Sequence, residues 1–408
     1  MPIRVLATRP SKEILRLPWD RPLAQWSDQL EVPLARGIHR HVVRFVQLGP
    51  EVVVIKETRE SFAIGEYQML RNLGRLHLPV VEPWGVVTGR ADASGEPIEP
   101  ALVTRHLARS LPYRALFSSH LQDDTLERVI DALVVLLVRL HLDGFFWGDC
   151  SLSNTLFRRS AGEFAAYLVD AETGELHDHL TDGQREHDLD LLRTNVFGEL
   201  LDLQAGGLAD EDFDAIDVVD RILLRYRELW SELTGVEEFD LDEMWRLEQR
   251  IARLNEVGFD VDELDVVTDV GGATVRIQPK VVEAEHHARR LQGLTGLDLD
   301  EPQARRLLND LDAFSAAHEL QEQDAMIVAH RWLNEVYLPF EAALPGDLRA
   351  TVETAEAFHQ VLEHRWFLSE RAGHEVPLVD ATRDYVADVL PDVAQRIRAA
   401  ETSVDGAS

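Results

Sequence analysis

The chain of 408 residues has a single cysteine, Cys150. Without a second thiol, an intramolecular disulfide and any C-x-x-C zinc site are excluded. Cys150 itself reads as a small buried hydrophobe, with a redox or covalent role as the alternative. No run of about eighteen apolar residues occurs, so no stable membrane insertion is expected, and Met1-Pro2-Ile3-Arg4 does not open a signal peptide. The expected location is cytoplasmic. Positive charge is scarce, with 41 Lys and Arg against 73 Asp and Glu and a net charge of −32. Sequence-independent nucleic-acid binding rests on neutralising phosphates, so no nucleic-acid partner is expected. The same balance favours solubility and a cationic acceptor or partner. There is no internal repeat and no low-complexity tract beyond the tail, residues 401–408, which is expected to be disordered.

What is present is 45% apolar residues, enough for real cores in two or three domains. The most informative stretch is Trp147-Gly148-Asp149-Cys150-Ser151-Leu152-Ser153-Asn154, followed by Asp170 at the end of an apolar run. Alone, Asp and Asn at such spacing read as turn residues. Their setting adds weight. Leu126, Ile130, Leu133, Leu137 and Leu140 recur at helical spacing up to His141, and Gly144 is a candidate C-cap. After Asn154 two short apolar runs, to Phe157 and from Phe164 to Val169, read as a hairpin ending at Asp170. Upstream, Val52-Val53-Val54-Ile55 is a strand run ending in Lys56, and Glu66 lies on the next helical stretch. Singly, Lys56 reads as an edge-strand lysine and Glu66 as a solvated helix acid. Together these five groups stand in the order that phosphoryl transfer uses.

The first half resembles the protein-kinase-like superfamily, in its lipopolysaccharide-kinase (Kdo/WaaP-like) branch, and the small-molecule phosphotransferases. The stretches Glu66-Tyr67-Gln68-Met69-Leu70-Arg71-Asn72-Leu73 and Leu78-Pro79-Val80-Val81-Glu82-Pro83-Trp84-Gly85-Val86-Val87 resemble the helix and following strand of that branch, and the kinase motifs cover roughly residues 30 to 200. The whole chain is similar to a bacterial, chiefly actinobacterial, family that pairs such a half with a C-terminal domain of unknown function. The implied fold is α+β: a two-lobed protein-kinase-like fold followed by a mostly helical C-terminal domain. Residues 1–105 would form an N-terminal segment and N-lobe, 106–235 the C-lobe, and 236–400 a helical accessory domain. The implied activity is an ATP- and Mg²⁺-dependent phosphotransferase acting on a small-molecule or atypical acceptor. The alternatives are a pseudokinase, responding to nucleotide and acting through its C-terminal domain, and a structural protein using neither nucleotide nor metal. Residues 236–400 are a candidate surface for a protein partner.

Carried over residue by residue, the resemblance gives Lys56 to the phosphates, Glu66 to orienting Lys56, and Asp149 to the acceptor hydroxyl. Asn154 and Asp170 would ligate Mg²⁺. Asp188 or Asp190 would brace the loop from below, or else favour a helix dipole. Arg105 lies in Ala101–Leu107, the expected hinge beside adenine. The departures are specific. No G-x-G-x-x-G occurs; only Gly37 stands in residues 34–41, where Arg36, with His39 and Arg40, would substitute as phosphate contacts or form a solvated hairpin. Asp170 is followed by Ala171 and Glu172 in place of a glycine-ended triplet, and Glu172 is a further metal ligand or a turn acid. Trp147 stands where small-molecule kinases often carry histidine. The segment from Glu172 to His187 is short, which points away from a generic peptide acceptor.

The remainder reads as helix-rich. Helices are expected over residues 237–255, 300–314 and 324–337, with a hairpin turning at Gly271-Gly272. Aromatics beside bases at Arg331-Trp332, Phe358-His359 and residues 364–367 read as core with snorkelling cations. His177, His179 and His187, and the pair His286-His287, are weak zinc candidates beside the default of solvated side chains. Lys280, Arg289 and Arg290 make a small basic island.

Overall fold

The computed structural model describes residues 3–8, 12–32, 41–117, 123–160, 163–209, 213–235, 237–240, 244–256, 259, 261–268, 274–281, 286–349, 352–372, 374 and 376–395. The expected phosphate loop with Arg36 and Gly37, the turn at Gly271-Gly272 and the tail 401–408 lie outside them. The architecture is mixed α+β with antiparallel sheets, and the chain divides into two compact units. The first comprises Met1–Arg158 and Ala166–Tyr226; the second comprises Arg159–Ala165 and Arg227–Thr402.

In the first unit, strands β1 (Arg4–Ala7), β2 (Val43–Leu48), β3 (Glu51–Glu57), β4 (Pro83–Thr88) and β5 (Ala101–Arg105) form one sheet. Its order is β1-β4-β5-β3-β2, every neighbouring pair antiparallel. Alternation along β3 sends Val53 and Ile55 to one face and Lys56 to the other. Val53 and Ile55 join a core with Ile14, Trp19, Leu23 and Trp26, so the segment before β2 covers that face. A buried arginine fixes this cover: Arg90 stacks on Trp19 and donates to Glu57 and to the Arg21 and Glu99 carbonyls. On the other face lies helix α1 (Glu60–Arg75). Ala63, Glu66, Tyr67, Leu70 and Leu73 recur every three or four residues and are buried. The stretch Ala101–Leu107 is not a hinge throughout. Ala101–Thr104 are buried and Ala101–Arg105 pair with β3 and β4, so the connection starts at His106.

The remainder of this unit is largely helical. It runs through β6 (Ser110–Pro112), α2 (Tyr113–Phe117), α3 (Asp123–Leu142), β7 (Phe145–Phe146), β8 (Thr155–Ser160), β9 (Glu163–Leu168), β10 (Glu175–Leu176), α4 (Asp182–Ala205) and α5 (Ala215–Thr234), with the unit boundary falling within β8 after Arg158, within β9 before Ala166 and within α5 after Tyr226. The apolar run of α3 is buried on nearly all sides, from Val129 to Leu140. Strands β6, β8 and β9 form one small sheet, β7 and β10 another.

The second unit contains a sheet ordered β11-β13-β12, from β11 (Glu237–Asp240), β12 (Val261–Thr268) and β13 (Thr274–Val281). Its helices are α6 (Met244–Glu256), α7 (His286–Thr295), α8 (Glu301–Ala317), α9 (Ala325–Trp332), α10 (Leu338–Ala343), α11 (Gly346–Arg349), α12 (Thr354–Ala372) and α13 (Leu378–Asp388). Two expectations change here. Glu237–Asp240 is a strand and not the first turn of a helix, because β13 offers it a partner edge; pairing overrides helical spacing. The helix expected over 324–337 is interrupted by a π-helical turn, Leu333–Tyr337. Pro339 has no N–H for the Glu335 carbonyl, which accounts for a break there. Trp332, Tyr337, Phe340 and Phe358 form an aromatic core, whereas Trp366 and Phe367 are 60% and 59% exposed and belong to no core.

Candidate functional site

Lys56 projects from β3 toward α1, where Glu66 occupies a position in the apolar stripe. Its ammonium Nζ donates to Glu66 Oε2 at 2.9 Å and to Asp170 Oδ2 at 2.7 Å, with Glu172 Oε2 at 3.4 Å. One carboxylate oxygen from each of Glu66, Asp170 and Glu172 lies within 4.8 Å of the other two. When all three are ionised, one ammonium faces three anions, an excess of two negative charges. Burial, reinforced by the charge of Asp170, pushes the Glu66 carboxyl up to about 8, although Lys56 opposes the shift. Burial alone would lower Lys56, yet Glu66 and Asp170 outweigh it and hold the ammonium above its ordinary value. Lys56 is therefore a fixed cation.

This donor set fits a divalent metal. Hard cations take oxygen ligands, the three acids bring oxygens together, and the buried Glu172 Oε2 has no hydrogen bond. His41 Nε2, at 3.6 Å from that atom, is its other basic neighbour.

Asp170 is brought to the loop of Asp149 by the backbone. Val169 N donates to the Asn154 carbonyl at 3.1 Å, and Leu168 hydrogen-bonds the segment before β4 through Pro79 and Val81. Asp170 Oδ1 caps its own turn by accepting from Glu172 N. The loop is tightly tied. The amide Nδ2 of Asn154 donates to Asp149 O at 3.0 Å and Oδ2 at 3.1 Å, which leaves Asn154 Oδ1 as the end available to a metal. Asn195 Nδ2 donates to Asp149 Oδ1 at 3.1 Å and to the Cys150 carbonyl at 3.0 Å.

Below the loop, Asp188 is fully buried and accepts from Trp147 N at 2.7 Å and Gly148 N at 2.8 Å. Of the two acids expected as a brace, Asp188 does this and Asp190 is exposed. His141 lies 3.2 Å from Asp188 and 2.7 Å from the Tyr226 hydroxyl. Burial lowers the His141 pKa; because a carboxylate oxygen accepts, Nε2–H is the group that donates to Asp188, and Nδ1 faces the Tyr226 hydroxyl. Glu199 accepts from Leu152 N at 2.8 Å and Ser153 N at 2.9 Å, and also from the Ser153 hydroxyl. Burial raises the Glu199 pKa, opposed by these hydrogen bonds.

Glycines set the loop's entry. Gly144 has φ +77°, and a Cβ there would lie 2.0 Å from the His177 carbonyl; one at Gly174 would lie 2.3 Å from Phe145. Cys150 is buried and its thiol is pushed well up by burial and the nearby Asp188 and Asp149, as an inert core sulfur would be.

Asn195, Glu199 and Arg90 carry no sequence signal, since each is a polar residue whose partner is distant along the chain. Arg105, expected at the nucleotide, is paired with Glu51 at 3.0 Å through two hydrogen bonds, with Glu82 at 3.6 Å. Among the described residues, Glu66, Asp170 and Glu172 are the one group of three or more His, Cys, Asp or Glu set close enough to hold a metal. Of the zinc candidates, His177 contacts Gln184, His187 stacks on Phe146, and His287 pairs with Glu301.

The family described as a domain of unknown function (DUF4032) matches residues 228–390. No curated protein matches the chain. Among solved structures, "WaaP in complex with acyl carrier protein" is similar at 16% identity and a TM-score of 0.36, over 62% of this chain and 99% of that one.

Proposed function

We propose that the first unit is a two-lobed, protein-kinase-like phosphotransferase that uses ATP and Mg²⁺ and acts on a small-molecule or atypical hydroxyl acceptor. The observation that carries this reading is the meeting of Lys56, Glu66 and Asp170, from a strand, a helix and a hairpin end, beside the braced Asp149–Asn154 loop. Asp170, Asn154 and Glu172 would hold Mg²⁺, which when bound neutralises phosphate charge and fixes the γ-phosphoryl group. Lys56, released from Asp170, would donate to phosphate oxygens while Glu66 keeps the ammonium aimed. Asp149 would accept a hydrogen bond from the acceptor hydroxyl and take its proton. The hydroxyl oxygen then bonds to the γ-phosphorus as the bond to the β–γ bridging oxygen breaks and ADP leaves. A cytoplasmic location belongs to this proposal. So does the division at residue 235, with residues 236–400 as an accessory domain and a surface for a protein partner.

The test uses purified full-length chain, γ-labelled ATP, Mg²⁺ and a metabolite extract, with turnover and Mg·ATP affinity measured on two variants. Asp149→Asn should lower turnover on the order of 10²- to 10⁴-fold and leave affinity nearly intact. Asp170→Asn should lower both. If Asp149→Asn leaves acceptor transfer, autophosphorylation and ATP hydrolysis at wild-type levels, the enzyme reading fails and the pseudokinase takes its place.

A further inference from the structure

Helix α4 meets the loop through three side chains, Asp188, Asn195 and Glu199, spaced seven and then four residues apart and therefore on one helical face. Asp188 and Glu199 hold backbone amides. Asn195 alone reaches the carboxylate of Asp149. We propose that Asn195 is a positioning residue for Asp149: it locks the rotation of that carboxylate so that one oxygen points at the acceptor hydroxyl. The proposal rests on the phosphotransferase reading.

The hydrogen-bond count supports it. A side-chain amide has two N–H groups. Both of those on Asn195 are used, one on Asp149 Oδ1 and one on the Cys150 carbonyl, so the Asn195 amide is itself fixed. Asn154 likewise uses both of its N–H groups, on Asp149 O and Oδ2. Each Asp149 oxygen thus receives one amide N–H and keeps one lone-pair direction for an incoming hydroxyl. The two donors differ in footing. Asn154 lies in the loop itself. Asn195 stands on a helix of 24 residues whose Leu189, Leu192, Val196, Leu200 and Leu203 are buried. With Asn154 as its sole tether, the carboxylate could swing about its Cβ–Cγ bond, and a small misplacement of a reacting group is costly in rate.

The test is a double-mutant cycle on the full chain, read as ATP hydrolysis and labelled transfer. Asn195→Ala should lower kcat on the order of 10- to 100-fold with the dissociation constant for Mg·ATP unchanged. In the Asp149→Asn background the same substitution should cause no further loss, because the group it orients is already disabled. Asn195→Leu, nearly isosteric, guards against a cavity effect and should behave as Asn195→Ala. A wild-type kcat in both variants overturns the proposal. An equal loss with and without Asp149, or weakened Mg·ATP binding, overturns it in favour of a purely structural role. Wild-type turnover that Asp149→Asn abolishes but Asn195→Ala spares leaves the phosphotransferase reading standing and removes this inference alone. Absence of any turnover in the wild type removes both.

Discussion

Residue by residue, the site divides into contacts readable along the chain and contacts only a fold can make. The proximity of Lys56 and Glu66 was readable: a strand ending in lysine runs into a helix, and ten residues cover the distance. Asp188 was half readable, since Asp190 shares its local pattern and only burial separates them. Asn195 could not be read, because its partner Asp149 lies 46 positions away and an asparagine within a helix carries no label. His106 is a further residue the fold makes unusual. It follows β5, its ring sits edge-on to Phe45, and burial lowers its pKa to about 4. The unfolded chain takes up this proton near pH 6.5, the folded one near 4. The contribution of the neutral ring is therefore fully present and independent of pH above about pH 6.5, and it is lost as pH falls toward 4. Replacing it as His106→Gln should leave the urea midpoint at pH 7.5 little changed and flatten its decline between pH 6.5 and 4. Carboxylates titrating in the same window are common to both proteins and cancel. Identical slopes would show that His106 protonates freely in the folded state.

Among the elements, α4 does the most to shape the site. Its N-terminus is set by a capping box, Thr181 with Gln184, and its buried Leu189, Leu192, Val196, Leu200 and Leu203 recur every three or four residues. The three polar residues that grip the loop interrupt the pattern and were not legible as a set. The same limit explains β11 and the π-helical turn after α9. Helical spacing was present in both segments, but an available strand edge decided the first and Pro339 the second. Asp188 gives the element-scale prediction. Asp188→Ala removes the acceptor of the Trp147 and Gly148 amides and of His141 Nε2, at roughly 1–3 kcal/mol for each such group. A loss of about 3 kcal/mol or more in unfolding free energy is expected, with Asp188→Asn intermediate because it retains one acceptor oxygen. Asp190→Asn, two residues along on the exposed side, should stay within about 0.5 kcal/mol. Denaturant titration of the three variants measures this directly. Equal effects at Asp188 and Asp190 would mean that the helix, and not its hold on the loop, is what matters.

For the molecule as a whole, the division of the chain decides which pieces can carry the site. Lys56, Glu66, Asp149, Asn154 and Asp170 all belong to the first unit. That unit is not complete without the first turns of α5. Tyr226 closes the His141–Asp188 network, and Arg221 and Arg225 both pair with Glu127 of α3. A chain cut in the loop before α5 would therefore expose α3 and release His141, although every candidate site residue is present. Two fragments separate these requirements. Residues 1–235 should fold cooperatively and show a rise in melting temperature with Mg·ATP, since a ligand that binds only the folded state stabilises it by mass action. Residues 1–214 should fail to give a cooperative transition. The Lys56→Ala form of the longer fragment should keep its ligand-free transition and lose most of the shift. If residues 1–235 melt cooperatively but show no Mg·ATP shift while the full chain does, nucleotide binding requires residues beyond 235, and placing the site within the first unit alone is wrong.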